Sequence, residues 1–416
     1  MKIPGSIFSS LLALSVLPLG SWADGYRNPP DGAKAMALTG GKVTLLKEAA
    51  SMSHNPAALS GLESPELQLN AVFGYSKKSF TTPDGRRGET RNDIRFLPSL
   101  YWATPLEQEG LAAGIGISFP YGQSSEWGRD TPFRLGSSYE GRLTVMNVNP
   151  TVAWEVRPGL QVGAGLDVYL SDLKTKQIYP WGLALGGPFP EGEAEARGDG
   201  VGVGANIGLL WEPVDGHHFG LTWRSSVDVD YEGDFELSNV PGPAAAQGAV
   251  SRSDLDTEIS YPSLVVLGYG VEVTETFRIG VDVEWIEFSV FDETRFDLGP
   301  NTPFLQPNPI LSNWEDTWSV GVAAEKDVSE VWTIRGGVVF LDTPVPDRTI
   351  TPSFADEKHP VFTLGTGYQK DATTIDVTLA LGVFEDRTVS GNQNPLLNGE
   401  YGFDNALLSV SYRRMW

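Results

Sequence analysis

Four histidines, His54, His217, His218 and His359, are the residues of this chain best suited to move a proton or hold a metal. A serine hydrolase needs a nucleophilic Ser, a His beside it and a carboxylate or amide to align that His. A catalytic zinc needs three protein ligands. His217 and His218 are neighbours in a short polar turn and do not supply three ligands, and His359 lies in a long connection. His54 stands directly before Asn55-Pro56 in a stretch of small residues, where a simple packing contact is the plainer reading of it. Zero cysteines remove thiolate nucleophiles, thiolate metal sites and disulfides. Carboxylate pairs such as Asp282 and Glu284 are two residues apart, on one face if the segment is a strand, and do not by themselves argue for acid–base work. No catalytic set, metal site or cofactor motif emerges, and the chain reads as a non-enzyme.

The elements that carry these residues are strands. "LQVGAGLDVYLSD" places Leu160, Val162, Ala164, Leu166, Val168 and Leu170 on one face, with Gln161, Gly163, Gly165, Asp167, Tyr169 and Ser171 on the other. "FGLTWRSSVDVDY" and "TIDVTLALGVF" alternate in the same way. Strands of soluble proteins average about 5–6 residues, whereas a barrel strand crossing a bilayer needs about 9–11. Fourteen such segments are predicted, at 66–75, 92–103, 111–121, 142–156, 159–173, 200–212, 218–231, 257–272, 276–291, 314–326, 331–342, 361–370, 372–385 and 405–416. Their connections alternate between short ("TPLEQEG", "RP", "PVDGH", "TET", "DVSE", Asp371) and long, as periplasmic turns and extracellular loops do. Trp102, Trp154, Trp211, Trp332 and Trp416 fall at the short-turn end, where an aromatic girdle belongs. The expected fold is an all-β, fourteen-stranded antiparallel transmembrane barrel.

Composition fits an exported membrane barrel. Lys2, an apolar run from Ile7 to Leu19 and "SWA" ending at Ala23 read as a signal peptide over residues 1–23. No later run of about 18 apolar residues is present, so a spanning helix is not expected. A formal net charge of −23 argues against nucleic acid, whose phosphates need Lys and Arg. Residues 24–65 precede the first strand, and their irregular backbone has no place in lipid. A polar lumen does admit them, and Gly163, Gly165, Gly202, Gly204 and Gly208 leave room there. The kinked segment "SHNPAALSGL" therefore reads as part of an N-terminal hatch, or plug, inside a barrel of residues 66–416.

The segments "SHNPAAL", "LPSLYWATPLEQEGLAAGIGISFPYG", "TVMNVNPTVAWEVRPGLQVGAGLDVYLSDLK", "FGLTWRSSVDVDYEGDFEL" and "WTIRGGVVFLDTPVPDRTITP", in this order, resemble the FadL family of outer-membrane transporters for long-chain fatty acids and other hydrophobic molecules. The resemblance covers nearly the whole mature chain. The C-terminal "YRRMW" departs from the family's usual ending, although Leu408, Val410, Tyr412 and Trp416 keep one phase. The resemblance implies passive transport of a hydrophobic small molecule. It is captured at extracellular loops, passes a hatch-gated lumen and leaves sideways through a kinked third strand.

The resemblance also assigns candidate residues. His54, Asn55, Pro56 and Ala57 are expected at the hatch turn. Trp127, Phe133 and Leu135 in one outer loop, and Tyr179, Trp181, Leu183, Leu185 and Phe189 in another, are expected to capture substrate. Gly114, Gly116, Pro120 and Gly122 mark the third strand for a lateral opening, since Pro removes a ladder donor and Gly permits bulges. The inward charges Asp167, Arg224, Asp228, Asp282, Glu284, Arg335 and Asp376 are expected to pair with one another. Expected partners are outer-membrane lipid and lipopolysaccharide, the barrel assembly machinery through the C-terminal aromatic, and no second copy of the chain. The competing reading is a general diffusion porin or an adhesin-like barrel, neither of which needs residues 24–65 in its lumen.

Overall fold

A computed structural model describes residues 24–91, 93–299 and 309–416. The expected signal peptide, residues 1–23, lies outside the described residues. The wall is a closed antiparallel barrel. Its strands are β1 (Glu66–Thr81), β2 (Ile94–Pro105), β3 (Leu111–Glu126), β4 (Glu140–Arg157), β5 (Leu160–Tyr179), β6 (Gly192–Val214), β7 (His217–Arg224 and Val227–Leu237), β8 (Arg252–Tyr261 and Leu264–Thr274), β9 (Phe277–Ile286), β10 (Thr317–Asp327), β11 (Trp332–Leu341), β12 (His359–Lys370), β13 (Thr373–Gly382) and β14 (Gly399–Met415). Closure comes from β1 on β14, paired without a slip from Glu66 opposite Met415 to Thr81 opposite Glu400.

Period-two patterning decides which side each residue faces. Leu69, Phe73, Leu166, Val203, Ile207, Leu221, Leu267, Val320, Leu364 and Leu379 are exposed on the outer wall, toward lipid. Gln68, Asn70, Asn147, Asn149, Asp167, Asn206, Thr222, Glu325, Thr378 and Ser411 are buried on the inner wall. The periplasmic aromatic ring is present, with Trp102, Trp154, Trp211, Trp332 and Trp416 all exposed. At the opposite rim, Trp285 faces Trp318 in register and Trp223 faces Val265, a second girdle that the sequence reading missed.

Two strands are not continuous. β7 breaks at Ser225-Ser226 and β8 at Pro262-Ser263, side by side. Each break flips the alternation. Thr222 and Arg224 point inward, but beyond the break it is Val227, Val229 and Tyr231 that are buried. Phe219, Leu221 and Trp223 therefore do not share a face with Val227, Val229 and Tyr231, and Asp228 points outward rather than into the lumen. A phase shift of one residue at each break suffices for this, and periodicity read on either side of the break does not reveal it. Several strands also rise past their expected ends. β5 runs to Tyr179 and β6 starts at Gly192, forming a tall extracellular flange with Val227–Leu237 and Arg252–Tyr261.

Residues 24–65 lie inside. Most are buried, and their only regular pieces are a five-residue helix, α1 (Ala33–Ala37), and 3-10 turns at Ala49–Ser53 and Pro56–Gly61. Wall side chains satisfy the backbone that this irregular path leaves unpaired. The Ser411 hydroxyl accepts from the Ala33 N–H at 2.7 Å, while the Thr378 and Thr363 hydroxyls donate to the Ala33 and Ala37 carbonyls at 2.6 and 3.1 Å.

Candidate transport site

The luminal segment is seated on wall glycines. The place of a Cβ on Gly163 is taken by the backbone of Pro56 and Ala57, and on Gly208 by the Asn55 amide and the Pro56 ring. These two glycines face each other across β5 and β6. Gly220, Gly268 and Gly270 accommodate Val43 and Thr44 in the same way, and Gly280 and Gly321 accommodate Gly40 and Gly41. Wall backbone and luminal backbone approach more closely than any side chain allows.

Asn55 ties this seat together. Its Oδ1 accepts from the Ala57 N–H at 3.1 Å, which caps the Pro56–Gly61 turn. Its Nδ2 donates to the Val43 carbonyl at 2.9 Å and to the Leu209 carbonyl of β6 at 3.2 Å. His54 meets the Asp31 carbonyl at 3.2 Å. Burial pushes its pKa down to about 3, with Lys42 adding to the effect, so the imidazole is neutral at ordinary pH and is no pH sensor there. Gly208→Val tests the seat. Valine suits a strand, so the barrel is expected to keep its heat-modifiable migration on gels. The Asn55–Ala57 turn is displaced, losing three hydrogen bonds that sum to roughly 2–4 kcal/mol. Bilayer recordings are then expected to show openings absent from the parent protein. A variant as silent as the parent would contradict the seat's role.

Ion pairs add a second set of attachments. Arg27 makes a two-pronged contact with Glu284 of β9 at 2.5 and 3.0 Å, and Lys42 approaches the same carboxylate at 3.5 Å. Lys34 reaches Glu325 of β10 at 3.8 Å, and Arg335 joins Glu325 to Asp376 at 2.5 and 2.6 Å. Arg224 meets Asp167 at 3.0 Å. The expected pairing of inward charges with one another is thus met by Asp167 with Arg224 and by Arg335 with Asp376, whereas Glu284 pairs with Arg27 and Lys42 of the luminal segment. Asp282 instead accepts the Lys42 backbone N–H at 2.9 Å.

The third strand holds a further irregularity of the wall. β2 and β3 pair only from Leu100 opposite Ile117 down to Pro105 opposite Ala112. Above that level β3 bulges between Ser118 and Tyr121 and leaves β2. Pro120 brings no N–H to a ladder. The edge of β3 that would meet β2 is taken by the luminal segment. Asn28 N–H donates to the Pro120 carbonyl at 2.9 Å, Gly122 N–H donates to the Tyr26 carbonyl at 2.8 Å, and Asn28 Nδ2 donates to the Phe119 carbonyl at 2.8 Å. The Arg91 N–H rejoins the two banks at the Glu126 carbonyl, 2.8 Å. Between these closures β2 residues 94–99 pair with β1 alone, which is a breach in the wall. Pro120 and Gly122 stand at this breach. Gly114 and Gly116 stand below it in the paired part of the strand, where they accommodate Met52 and Tyr101.

Leu97 and Phe119, on the two banks, belong to one buried apolar cluster with Val72, Met36, Leu341 and Leu407. A polar void of about 60 Å³ adjoins the breach, lined by Arg27, His54, Ser118, Pro120, Arg224 and Glu284 among others. A wider apolar concavity of about 710 Å³ lies on the lipid face, lined by Val152, Trp154, Ile207, Leu221 and Trp223, and belongs to the barrel's contact with hydrocarbon.

The outer loops differ from the surface expected of them. Trp127 and Phe133 are buried in an aromatic core that also holds Phe80 and Tyr401, with Leu135 packed on its margin. Trp181 is fully buried against Phe235, Leu237 and Leu255, with Tyr179, Leu185 and Phe189 partly buried around it. Leu183 is the open member of this set, 75% exposed. Loop rigidity explains the buried aromatics, and hydrophobicity alone did not distinguish loop core from loop surface.

The family model for the outer membrane protein transport proteins (OMPP1/FadL/TodX) matches residues 30–415. The chain belongs to this family. FadL-family proteins similar to it include a long-chain fatty acid transport protein of Salmonella typhi, 23% identical with 92% of each chain covered. Another relative is a putative outer membrane protein of Neisseria meningitidis serogroup B, 24% identical, covering 81% of this chain and 82% of the relative. Among solved structures, a Pseudomonas aeruginosa FadL homologue matches with a TM-score of 0.83 at 17% identity, over 94% of this chain and 99% of the other. The Ralstonia pickettii toluene transporter TbuX matches with a TM-score of 0.72 at 18% identity, over 95% and 99%. As a FadL-family barrel the protein is an outer-membrane transport protein.

Proposed function

We propose that the protein carries hydrophobic small molecules of the long-chain fatty acid or hydrocarbon class inward across the outer membrane, passively and without catalysis. Relatives named for long-chain fatty acids and for toluene bracket that class. The observation that carries the reading is the breach, where the luminal segment and not β2 holds the edge of β3. An axial water-filled route suits a lipophile poorly, because apolar surface is costly to expose to water. A side exit at Leu97 and Phe119 delivers it to hydrocarbon, and residues 24–65 act as the hatch that keeps ions from following.

Capture falls to the flange loop, through Leu183 with the partly buried Leu185 and Phe189, while Trp181 holds the loop's shape. The chain works as a monomer, is inserted by the assembly machinery through its terminal aromatic, and sits among lipopolysaccharide and lipid. Cells lacking their own uptake protein and expressing this one are expected to accumulate labelled oleate or toluene faster than vector controls. Equal rates for both compounds would reject the reading. Replacing Leu183, Leu185 and Phe189 by Ser is expected to lower uptake several-fold at limiting substrate and less at saturation. Roughly 1 kcal/mol is at stake per half-buried side chain. Equal loss at both concentrations would instead mark a folding defect.

A further inference from the structure

Two hydrogen bonds fix which backbone groups of β2 look into the breach. Just past the strand's lower end, the Leu106 N–H donates to the Leu111 carbonyl at 2.8 Å. Just before its upper end, the Asp93 carbonyl accepts from the Ser76 N–H of β1 at 2.8 Å. Along an antiparallel strand the backbone polar groups alternate between the two neighbours. Odd-numbered residues of β2 therefore turn their N–H and C=O toward β1, and even-numbered residues turn theirs toward β3. In the paired part these are Thr104, Trp102 and Leu100, opposite Ala113, Ile115 and Ile117. The next even-numbered position is Pro98, which the same register sets against Phe119, and proline has no N–H to give. The ladder ends at this step.

Pro98 stays in the wall on its other side, opposite Ala71 of β1, where the ladder does not call on its nitrogen. The Phe119 carbonyl, which an N–H at position 98 would claim, instead accepts the Asn28 side-chain amide of the luminal segment at 2.8 Å. A donor missing from β2 and a donor supplied by the hatch thus meet at one oxygen. Pro120 does not account for this. It belongs to β3, lies beyond Phe119 and takes no donor from β2.

We propose that Pro98 is a positioning residue for the side exit: it fixes the level at which β2 and β3 part and leaves the Phe119 carbonyl to Asn28 of the hatch. The inference rests on the transport reading above. A residue with an N–H at this position extends the ladder by one hydrogen-bonded step. That step draws the banks at Leu97 and Phe119 together and shortens the opening from below. The breach is then set from both banks, by the bulge on β3 and by the missing donor on β2.

Pro98→Val tests this, since valine suits a strand and supplies the donor. The variant is expected to keep the heat-modifiable migration of a folded barrel and to bind labelled oleate in nonionic detergent as the parent does. Cells expressing it are expected to take up oleate roughly two- to ten-fold more slowly than cells expressing the parent, the range for one net hydrogen bond on the exit step. In the barrel labelled with isotopic valine, the new amide at position 98 is expected to exchange with heavy water as slowly as the laddered amide of Val72. Asn28→Leu withdraws the competing donor. It is expected to slow uptake further in the Pro98→Val protein and not in the parent, a coupling that a mere packing role for Pro98 does not produce. Fast exchange at position 98 overturns the inference, as does an equal effect of Asn28→Leu in both proteins. A Pro98→Val protein that no longer migrates as a folded barrel also overturns it, because Pro98 then serves the wall and not the exit. Slow exchange with uptake at the parent's rate overturns the side exit and the inference with it. Parent cells no faster than vector controls overturn the transport reading itself.

Discussion

Deleting residues 24–62 is expected to turn a silent barrel into an open, cation-selective pore. The wall does not depend on this segment for closure, since β1 and β14 pair along their whole length and, apart from the breach, neighbouring strands are joined by ladders, those of β7 and β8 in two pieces around their breaks. The deleted residues are the ones packed against Gly163, Gly208, Gly220, Gly280 and Gly321, so their removal empties the lumen's centre. It also removes Arg27, Lys34 and Lys42, the hatch partners of Glu284 and Glu325. Those wall carboxylates and Asp282 then face water, and a pore lined by fixed negative charge favours cations. Planar bilayers are expected to show large single-channel steps, with a reversal potential displaced toward that of potassium in a potassium chloride gradient. A deleted protein that still migrates as a folded barrel and passes no current would mean that another element closes the lumen. Anion preference would contradict the charge assignment.

Much of this architecture was legible in the sequence, and what escaped has physical reasons. Long period-two runs such as residues 160–172 and 374–384 can bury one face and lay the other on lipid only in a membrane barrel, so strand number and aromatic placement followed. Asn55-Pro56 inside a run of small residues, ahead of polar inward faces, led to a segment in the lumen, where the structure has it. Pro120 and Gly122 announced a ladder defect, and the bulge lies between Ser118 and Tyr121. That the freed edge is held by Tyr26 and Asn28 depends on a contact across about ninety residues that no local pattern encodes. Gly114 and Gly116 carried the same local signal as Gly122, but they are small in order to admit Met52 and Tyr101. The breaks at Ser225-Ser226 and Pro262-Ser263 were hidden because hydrophobic alternation resumes after them in the opposite phase.

The side exit is the claim on which the rest depends, and the chain's lack of cysteine makes it directly testable. Leu97→Cys and Phe119→Cys place thiols on the two banks of the breach, both within one apolar cluster. A short, reducible thiol cross-linker applied to the purified protein, or to cells expressing it, ties β2 to β3 without touching the hatch seat at Gly163 and Gly208. Cross-linking is expected to slow uptake of labelled oleate roughly ten-fold or more, which corresponds to about 1.4 kcal/mol or more on the exit step. Binding of oleate to the detergent-solubilised barrel is expected to persist, and reduction of the cross-link is expected to restore uptake. The single-cysteine proteins treated in the same way control for the thiols themselves. Unchanged uptake in fully cross-linked protein would show that substrate leaves by another route and would contradict the lateral exit at the third strand.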